Sequence, residues 1–244
     1  MVSMQPKQGA RSPRRRILPV LFAVVLPAVP LCAQLSISNP SLPPQEYFLY
    51  AENIQDQSGT VSQSMSFKSA NGDSWYEFTS KSSESEVTMR LDAVTLFARS
   101  SEVITRSGDS LIRRTTEILA ATPHAKQGEL MIGDYASLPV TLRGLPWGTF
   151  TQANLVTLGA PRGSGQVSVQ LTVAGHESIS TGGKTWDCWK VQLGLGGLLG
   201  AFFAKSTYWF AAEAPHVLVK SEVPTGGPGS PTRVMELQRY STQQ

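Results

Sequence analysis

Val167-Ser168-Val169-Gln170-Leu171-Thr172-Val173 alternates apolar and polar side chains without a break, and it opens the stretch that decides the fold. Period-two alternation puts every second side chain on one face, so the segment reads as a half-buried β-strand. After a Gly182-Gly183 turn comes a second strand, Trp186-Asp187-Cys188-Trp189-Lys190-Val191-Gln192-Leu193. Trp186 and Cys188 share one of its faces, while Trp189, Val191 and Leu193 share the other. Such a pattern predicts a β-bulge or a strand covered on both faces. Tyr208-Trp209-Phe210 and Pro215-His216-Val217-Leu218-Val219-Lys220-Ser221-Glu222 continue the series. From Val167 to Tyr240 the chain is strand after strand between turns, which is the pattern of an antiparallel β scaffold with a large apolar interior.

Upstream, the same signals recur with more Ser, Thr and charge. Tyr47–Ala51, Val61–Lys68, Trp75–Phe78, Val87–Asp92, Val94–Ala98 and Val103–Thr105 read as strands, with Asn71-Gly72 as a hairpin turn. Residues 110–121 also suit a helix capped by Ser110, but Thr115-Thr116 and the preceding turn favour a strand. A short helix fits near Gly133–Ser137. Residues 138–150, with Pro139, Gly144, Pro146 and Gly148 around Trp147, read as a buried-edge connection between an N-terminal and a C-terminal half. Residues 34–46 lack periodicity and end in prolines, so they read as a loosely ordered linker. The expected fold is mostly β: a curved antiparallel sheet or half-barrel with few short helices. It forms a single β domain over 47–240, or two β halves, 47–137 and 138–240.

The first 33 residues read as an export signal. Lys7, Arg11, Arg14, Arg15 and Arg16 precede an uncharged run from Ile17 to Leu31. That run is short and broken by Pro19, Pro27 and Pro30, which suits a cleaved signal better than a retained span. Leu31-Cys32-Ala33 resembles a signal-peptidase site. Cys32 fits a lipidated cysteine less well, because Leu31 and Val29 stand where a small residue and a leucine are usual. Arg14-Arg15-Arg16 loosely resembles a twin-arginine signal and equally an ordinary basic leader. The expected location is extracytoplasmic, in the periplasm or secreted, with no transmembrane span after cleavage. The chain has 21 basic and 18 acidic residues. The leader holds five of the basic and none of the acidic, so the remainder carries 16 against 18. That leaves no basic excess to recommend nucleic acid as a partner. Cys188 is then a lone thiol, so no intramolecular disulfide is expected.

The order Val173-x-Gly175-x-Glu177, Gly183-Lys184-Thr185-Trp186-Asp187-Cys188-Trp189-Lys190-Val191, Tyr208-Trp209-Phe210, Pro215-His216-Val217-Leu218-Val219-Lys220-x-Glu222 and Glu236-Leu237-x-x-Tyr240 carries a resemblance. It is similar to a family of exported bacterial β-rich proteins of unknown function. The fold of that family is thought to resemble the half-barrel of outer-membrane lipoprotein carriers. The match covers roughly residues 140–240. It implies the fold and a lean toward binding something apolar, and it brings no catalytic residues.

A curved sheet needs an apolar concave face, which side chains, a helix or a lipid-sized ligand can fill. The candidate wall is Val169, Leu171, Val173, Trp189, Val191, Leu193, Trp209 and Leu218. Leu193–Ala204 is twelve residues without a charge, and its Leu198, Leu199, Phe202 and Phe203 would form a sticky patch if exposed. The candidate ligand-binding residues are therefore Trp189, Val191, Leu193, Leu198, Leu199, Phe202, Phe203 and Trp209. No catalytic residue, cofactor or metal site is expected. Gly108-Asp109-Ser110-Leu111 spells a serine-esterase signature, and Glu213-Ala214-Pro215-His216 loosely matches its late Asp-x-x-His. Yet Gly-Asp-Ser recurs at Gly72-Asp73-Ser74 between strands, which points to turn chemistry. His176-Glu177 begins like a zinc-protease helix but has Ser180 where the second histidine belongs. Three functions compete: a non-enzymatic envelope protein binding a lipid or other apolar ligand, an envelope interaction or structural protein with a filled core and a protein partner, and an esterase using Ser110.

Overall fold

A computed structural model describes residues 36–107, 110–117, 128–157, 169–196 and 204–243 of the chain. Among them the strands are β1 (Gln45–Ile54), β2 (Gln57–Ala70), β3 (Asp73–Lys81), β4 (Ser85–Asp92), β5 (Ala98–Ser107), β6 (Ser110–Glu117), β7 (Glu129–Ile132), β8 (Gln152–Thr157), β9 (Val169–Thr181), β10 (Lys184–Leu195), β11 (Ser206–Ala211), β12 (Leu218–Pro224) and β13 (Thr232–Gln243). All belong to one open sheet, in the order β6-β5-β4-β3-β2-β1-β13-β12-β11-β10-β9-β8-β7. The first half runs outward from β1 and the second outward from β13, so the halves join through the first and last strands. Both lie within a single compact unit, Ala33–Gln244. Residues 110–117 are strand, as the β-branched run implies. Hairpins fall where the turn residues stand. Asn71 and Gly72 both have positive φ, as do Gly182 and Gly183, which is the geometry that matches the right-handed twist of a two-residue hairpin.

Among the described residues, only β7 and β8 pair in parallel. Parallel neighbours cannot be joined by a tight turn, so a crossover has to leave the sheet and return. That crossover is a 3-10 turn (Tyr135–Ser137), a helical turn α1 (Leu138–Thr141) and a second 3-10 turn (Leu142–Gly144). The helical start near Gly133–Ser137 is as expected. Residues 138–150, however, are not an edge connection between the halves. They lie across the concave face as a plug, because their leucines have an apolar wall to cover there. Leu138, Leu142, Leu145 and Phe150 pack on Leu155, Leu171, Val191, Leu193, Phe210 and Leu218. Val140 packs with Met65, Tyr76, Phe78, Met89 and Leu91 of the first half. A third cluster, including Phe48, Tyr50, Cys188, Val219 and Leu237, sits where the halves meet. Each fully buried leucine or valine of the plug contributes roughly 1.5–3 kcal/mol relative to exposure.

Residues 36–44 also depart from expectation. They are not a loose linker but are tied to the plug and the first half. Ser38 N–H donates to the Gly144 carbonyl at 3.1 Å, and Asn39 N–H to that of Val94 at 2.7 Å. The Asn39 side chain donates to the Ala93 carbonyl and accepts from Leu42 N–H. Leu42 is buried. A Cβ on Gly144 would stand 2.4 Å from the Ser38 carbonyl oxygen, so only glycine allows this approach. Polar side-chain anchors, not periodicity, order the segment. The expectation for residues 1–33 lies outside the described residues. Among the described residues no helix is long and apolar enough to cross a membrane.

Candidate functional site

The register of β10 decides which sequence candidates share a face. Val191 lies opposite Tyr208 and Trp189 opposite Phe210, while Trp209 lies opposite Lys190. Directly opposed residues point the same way. Val191 and Leu193 are therefore buried in the concave core with Leu171 and Leu218, and Val169 and Val173 pack against it. Trp189 follows them and stacks on Trp147 of the plug at 5.9 Å between centroids. Trp209 does not belong to this wall. It faces the other side, where Lys190 and Lys220 lie over its ring and its Nε1–H donates to Glu177 at 2.6 Å. Three consecutive aromatics, Tyr208-Trp209-Phe210, must split between two faces, and local sequence does not say which way. Leu198, Leu199, Phe202 and Phe203 lie outside the described residues.

β10 is covered on both faces, Cys188 on one and Val191 on the other. The bulge sits on its partner: Lys190 pairs with Gly175 and Val191 with Val173, leaving Ala174 as the extra residue. Burial, with the Asp187 and Glu177 carboxylates nearby, pushes the Cys188 thiol up to about 12, so it is not a nucleophile at neutral pH. The hydrogen bond from Lys190, and a further one from Trp209, hold the Glu177 carboxyl below its ordinary value.

Between the start of β1 and the plug lies a buried ion pair that no local pattern announces. Glu46 on β1 and Arg143 in the plug are both almost wholly buried. They meet fork to fork, with two bonds of 2.9 Å. Arg143 Nε–H donates to the Pro215 carbonyl at 2.8 Å, and Tyr240 O–H donates to Glu46 at 2.7 Å. Burial and this bond to a carboxylate raise the Tyr240 pKa, so the phenol keeps its proton and serves as donor. The arrangement pins the plug to the first strand, the last strand and the β11–β12 connection. Every charge it buries is hydrogen-bonded, as burial of charge requires. Over the described residues the concave floor is therefore filled by protein.

Space remains at one end. The strand registers bring to one rim the paired ends of β1 and β2, β3 and β4, β5 and β6, β8 and β9, β10 and β11, and β12 and β13. β10 ends at this rim with Leu195. A cavity of about 410 Å³ opens here, lined by Glu52, Ile54, Ser58, Gly59, Ser82, Ser85, Val223 and Arg233 among others. Glu52 and Ile54 share the inward parity of Phe48 and Tyr50, and Val223 packs against the concave core. The cavity is thus the mouth of the half-barrel, bridged by strands of both halves. Arg233 Nε–H donates to Glu52 Oε1 in its wall. Glu52 had one sequence signal, an acid on the apolar face of a strand. Arg233 had none. A shallower depression of about 360 Å³ lies on the convex face near Tyr47, Leu49, Lys81 and Arg239.

Ser110 opens edge strand β6 at the mouth rim. His216 lies in the β11–β12 connection at the opposite rim, beside Trp147. Burial lowers the His216 pKa, so the imidazole is neutral at neutral pH and its Nδ1–H donates to the Ala211 carbonyl. The structure does not bring Ser110 and His216 together. Gly72-Asp73-Ser74 is hairpin chemistry: Ser74 N–H donates to Asp73, which also accepts from Arg99. His176, on β9 rather than a helix, pairs with Asp187. Among the described residues no group of three His, Cys, Asp or Glu side chains could hold a metal ion.

The fold and this mouth define an open, plugged, β-barrel-like protein. No family model matches the chain, and no curated protein matches it. Among solved structures it is similar to a β-barrel-like protein of a domain of unknown function, DUF1849, from Brucella abortus. The identity is 8% and the TM-score 0.42, with 82% of this chain and 98% of that chain covered. It is also similar to a DUF1329 family protein from Desulfovibrio piger, at 8% identity and a TM-score of 0.28, covering 84% and 88%.

Proposed function

We propose that the protein is a non-catalytic, exported binding protein of the cell envelope that holds an amphiphilic, lipid-like ligand at the mouth of its half-barrel. The observation that carries this reading is the cavity of about 410 Å³ that continues from the apolar core at Val223 to the polar rim at Glu52 and Ser82. A ligand with an apolar body and a polar end matches such a gradient. Export rests on the leader pattern of residues 1–33. The Cys188 thiol, kept protonated by burial, and Ser110, at the rim opposite His216, support a binding role over a chemical one.

The test uses protein refolded from denaturant to strip any ligand, titrated with a fluorescent fatty-acyl probe. Saturable micromolar binding is expected, and Val223→Arg, in protein that circular dichroism shows to be folded, should weaken it at least about tenfold. The factor corresponds to roughly 1.4 kcal/mol. An absence of saturable binding to the wild-type protein would reject the ligand. The second reading, an interaction protein with a filled core, would then take its place. It is favoured by the plug, which already occupies the concave floor.

A further inference from the structure

We infer that the polar end of this ligand is an uncharged, hydroxyl-rich group that presents neighbouring hydroxyls, such as a sugar or glycerol. The inference rests on the binding reading above and adds the class of headgroup. It starts from the unused valences of the Glu52–Arg233 pair. Arg233 spends its Nε–H on Glu52 Oε1. Among the described residues neither Glu52 Oε2 nor the two terminal guanidinium nitrogens make a further bond. The Glu52 side chain is 11% exposed and that of Arg233 37%, so the acceptor lies deeper and the donors nearer the opening. Gly59 faces Glu52 with no side chain; a Cβ there would stand 3.6 Å from Oε2. The missing side chain leaves that oxygen open to the cavity.

One carboxylate oxygen beside a forked donor matches a pair of adjacent hydroxyls. One hydroxyl donates to Oε2 while both accept from the guanidinium, and each bond is charge-assisted. The rest of the rim is of the same kind. Ser58, Ser82, Ser83 and Ser85 add small hydroxyls rather than cations. Ser82 Oγ accepts from the Ser85 and Glu84 N–H groups, which sets the β3–β4 turn against the cavity. The charge balance excludes the commoner alternative. Among the described residues the lining holds two acids, Glu52 and Glu84, and one base, Arg233, which Glu52 already neutralises. A phosphate or carboxylate would meet more negative charge than positive there, so the cost of its desolvation would not be offset.

The experiment compares ligands with one C12 chain, each below its micelle concentration, in displacing the acyl probe. They are dodecyl maltoside, dodecylphosphocholine and dodecyl sulfate, with free maltose as a fourth arm. Dodecyl maltoside is expected to displace the probe at a concentration at least about tenfold lower than the two charged amphiphiles, as a site built for hydroxyls should require. Glu52→Gln and Arg233→Gln should each erase that preference, so that the three amphiphiles displace the probe at similar concentrations. Ser83→Ala keeps the ion pair intact and covers the case in which a pair variant fails to fold. It should weaken the maltoside alone by about two- to tenfold, the worth of one hydrogen bond. Equal displacement by all three amphiphiles, with no effect of these variants, would overturn the headgroup while the binding reading stands. Maltose as potent as its dodecyl conjugate would identify free sugar as the ligand; that would support the hydroxyl site and overturn its lipid source. No binding of the probe itself would bring down the binding reading first.

Discussion

Glu46 and Arg143 tie distant parts of the architecture together, because they are charged, buried and far apart in the chain. Removing one partner strands the other charge in an apolar interior. Arg143→Met is therefore expected to lower stability by about 3–5 kcal/mol in urea unfolding, and Glu46→Leu by a similar amount. The double variant Glu46→Leu/Arg143→Met should recover most of that loss, since no unpaired charge remains. A double variant as unstable as the sum of the singles would show that the pair acts through something other than charge. Neither residue is legible as a partner in the sequence. Glu46 ends a proline-rich tract, Arg143 sits in an irregular stretch, and 97 residues separate them.

At the scale of elements, the β9–β10 hairpin shows how a local motif acquires a distant constraint. Its Gly182-Gly183 turn follows from the sequence, and both residues adopt positive φ, 59° and 73°. The two glycines are nevertheless unequal. A Cβ on Gly183 would meet nothing within 4 Å, while one on Gly182 would lie 2.6 Å from the Gln238 carbonyl oxygen. The hairpin tip is docked on β13, where Thr181 Oγ1–H donates to the Leu237 carbonyl. Gly183→Ala should cost about 1–2 kcal/mol, the penalty of the left-handed conformation alone. Gly182→Ala should cost measurably more, because the tip must also lift from β13. Equal losses of thermal stability in the two variants would mean that the docking contributes nothing. Alternation placed the strands well, and the phase of Tyr208-Trp209-Phe210 failed because packing on both faces of β10 and β11 left no polar side to read.

For the whole molecule, the decisive contact is β1 against β13, ten residues deep from Gln45 and Gln243 to Ile54 and Arg233. It joins the ends of the chain and makes one sheet of what the sequence divides into two strand-rich halves. The plug spans both halves, with Val140 in the core of the first and Leu142 in that of the second. The full chain should therefore unfold in a single transition, reported alike by circular dichroism and tryptophan fluorescence. Fragments 47–137 and 138–240, made separately, should remain protease-sensitive. Two resolved transitions, or a protease-resistant fragment, would mean that the halves are independent domains.

By itself the sequence determined the strands, their hairpins, the mostly β class and the apolar character of the concave wall. All of these rest on side-chain periodicity and turn chemistry, which act within a few residues. The tertiary structure alone decided the pairing of the first strand with the last, the plug in the concave face, the burial of Glu46 with Arg143, and the mouth where Glu52 meets Arg233. Each of those brings together residues distant in the chain, and their energy comes from burial and from hydrogen bonds that exist only once the sheet has curved.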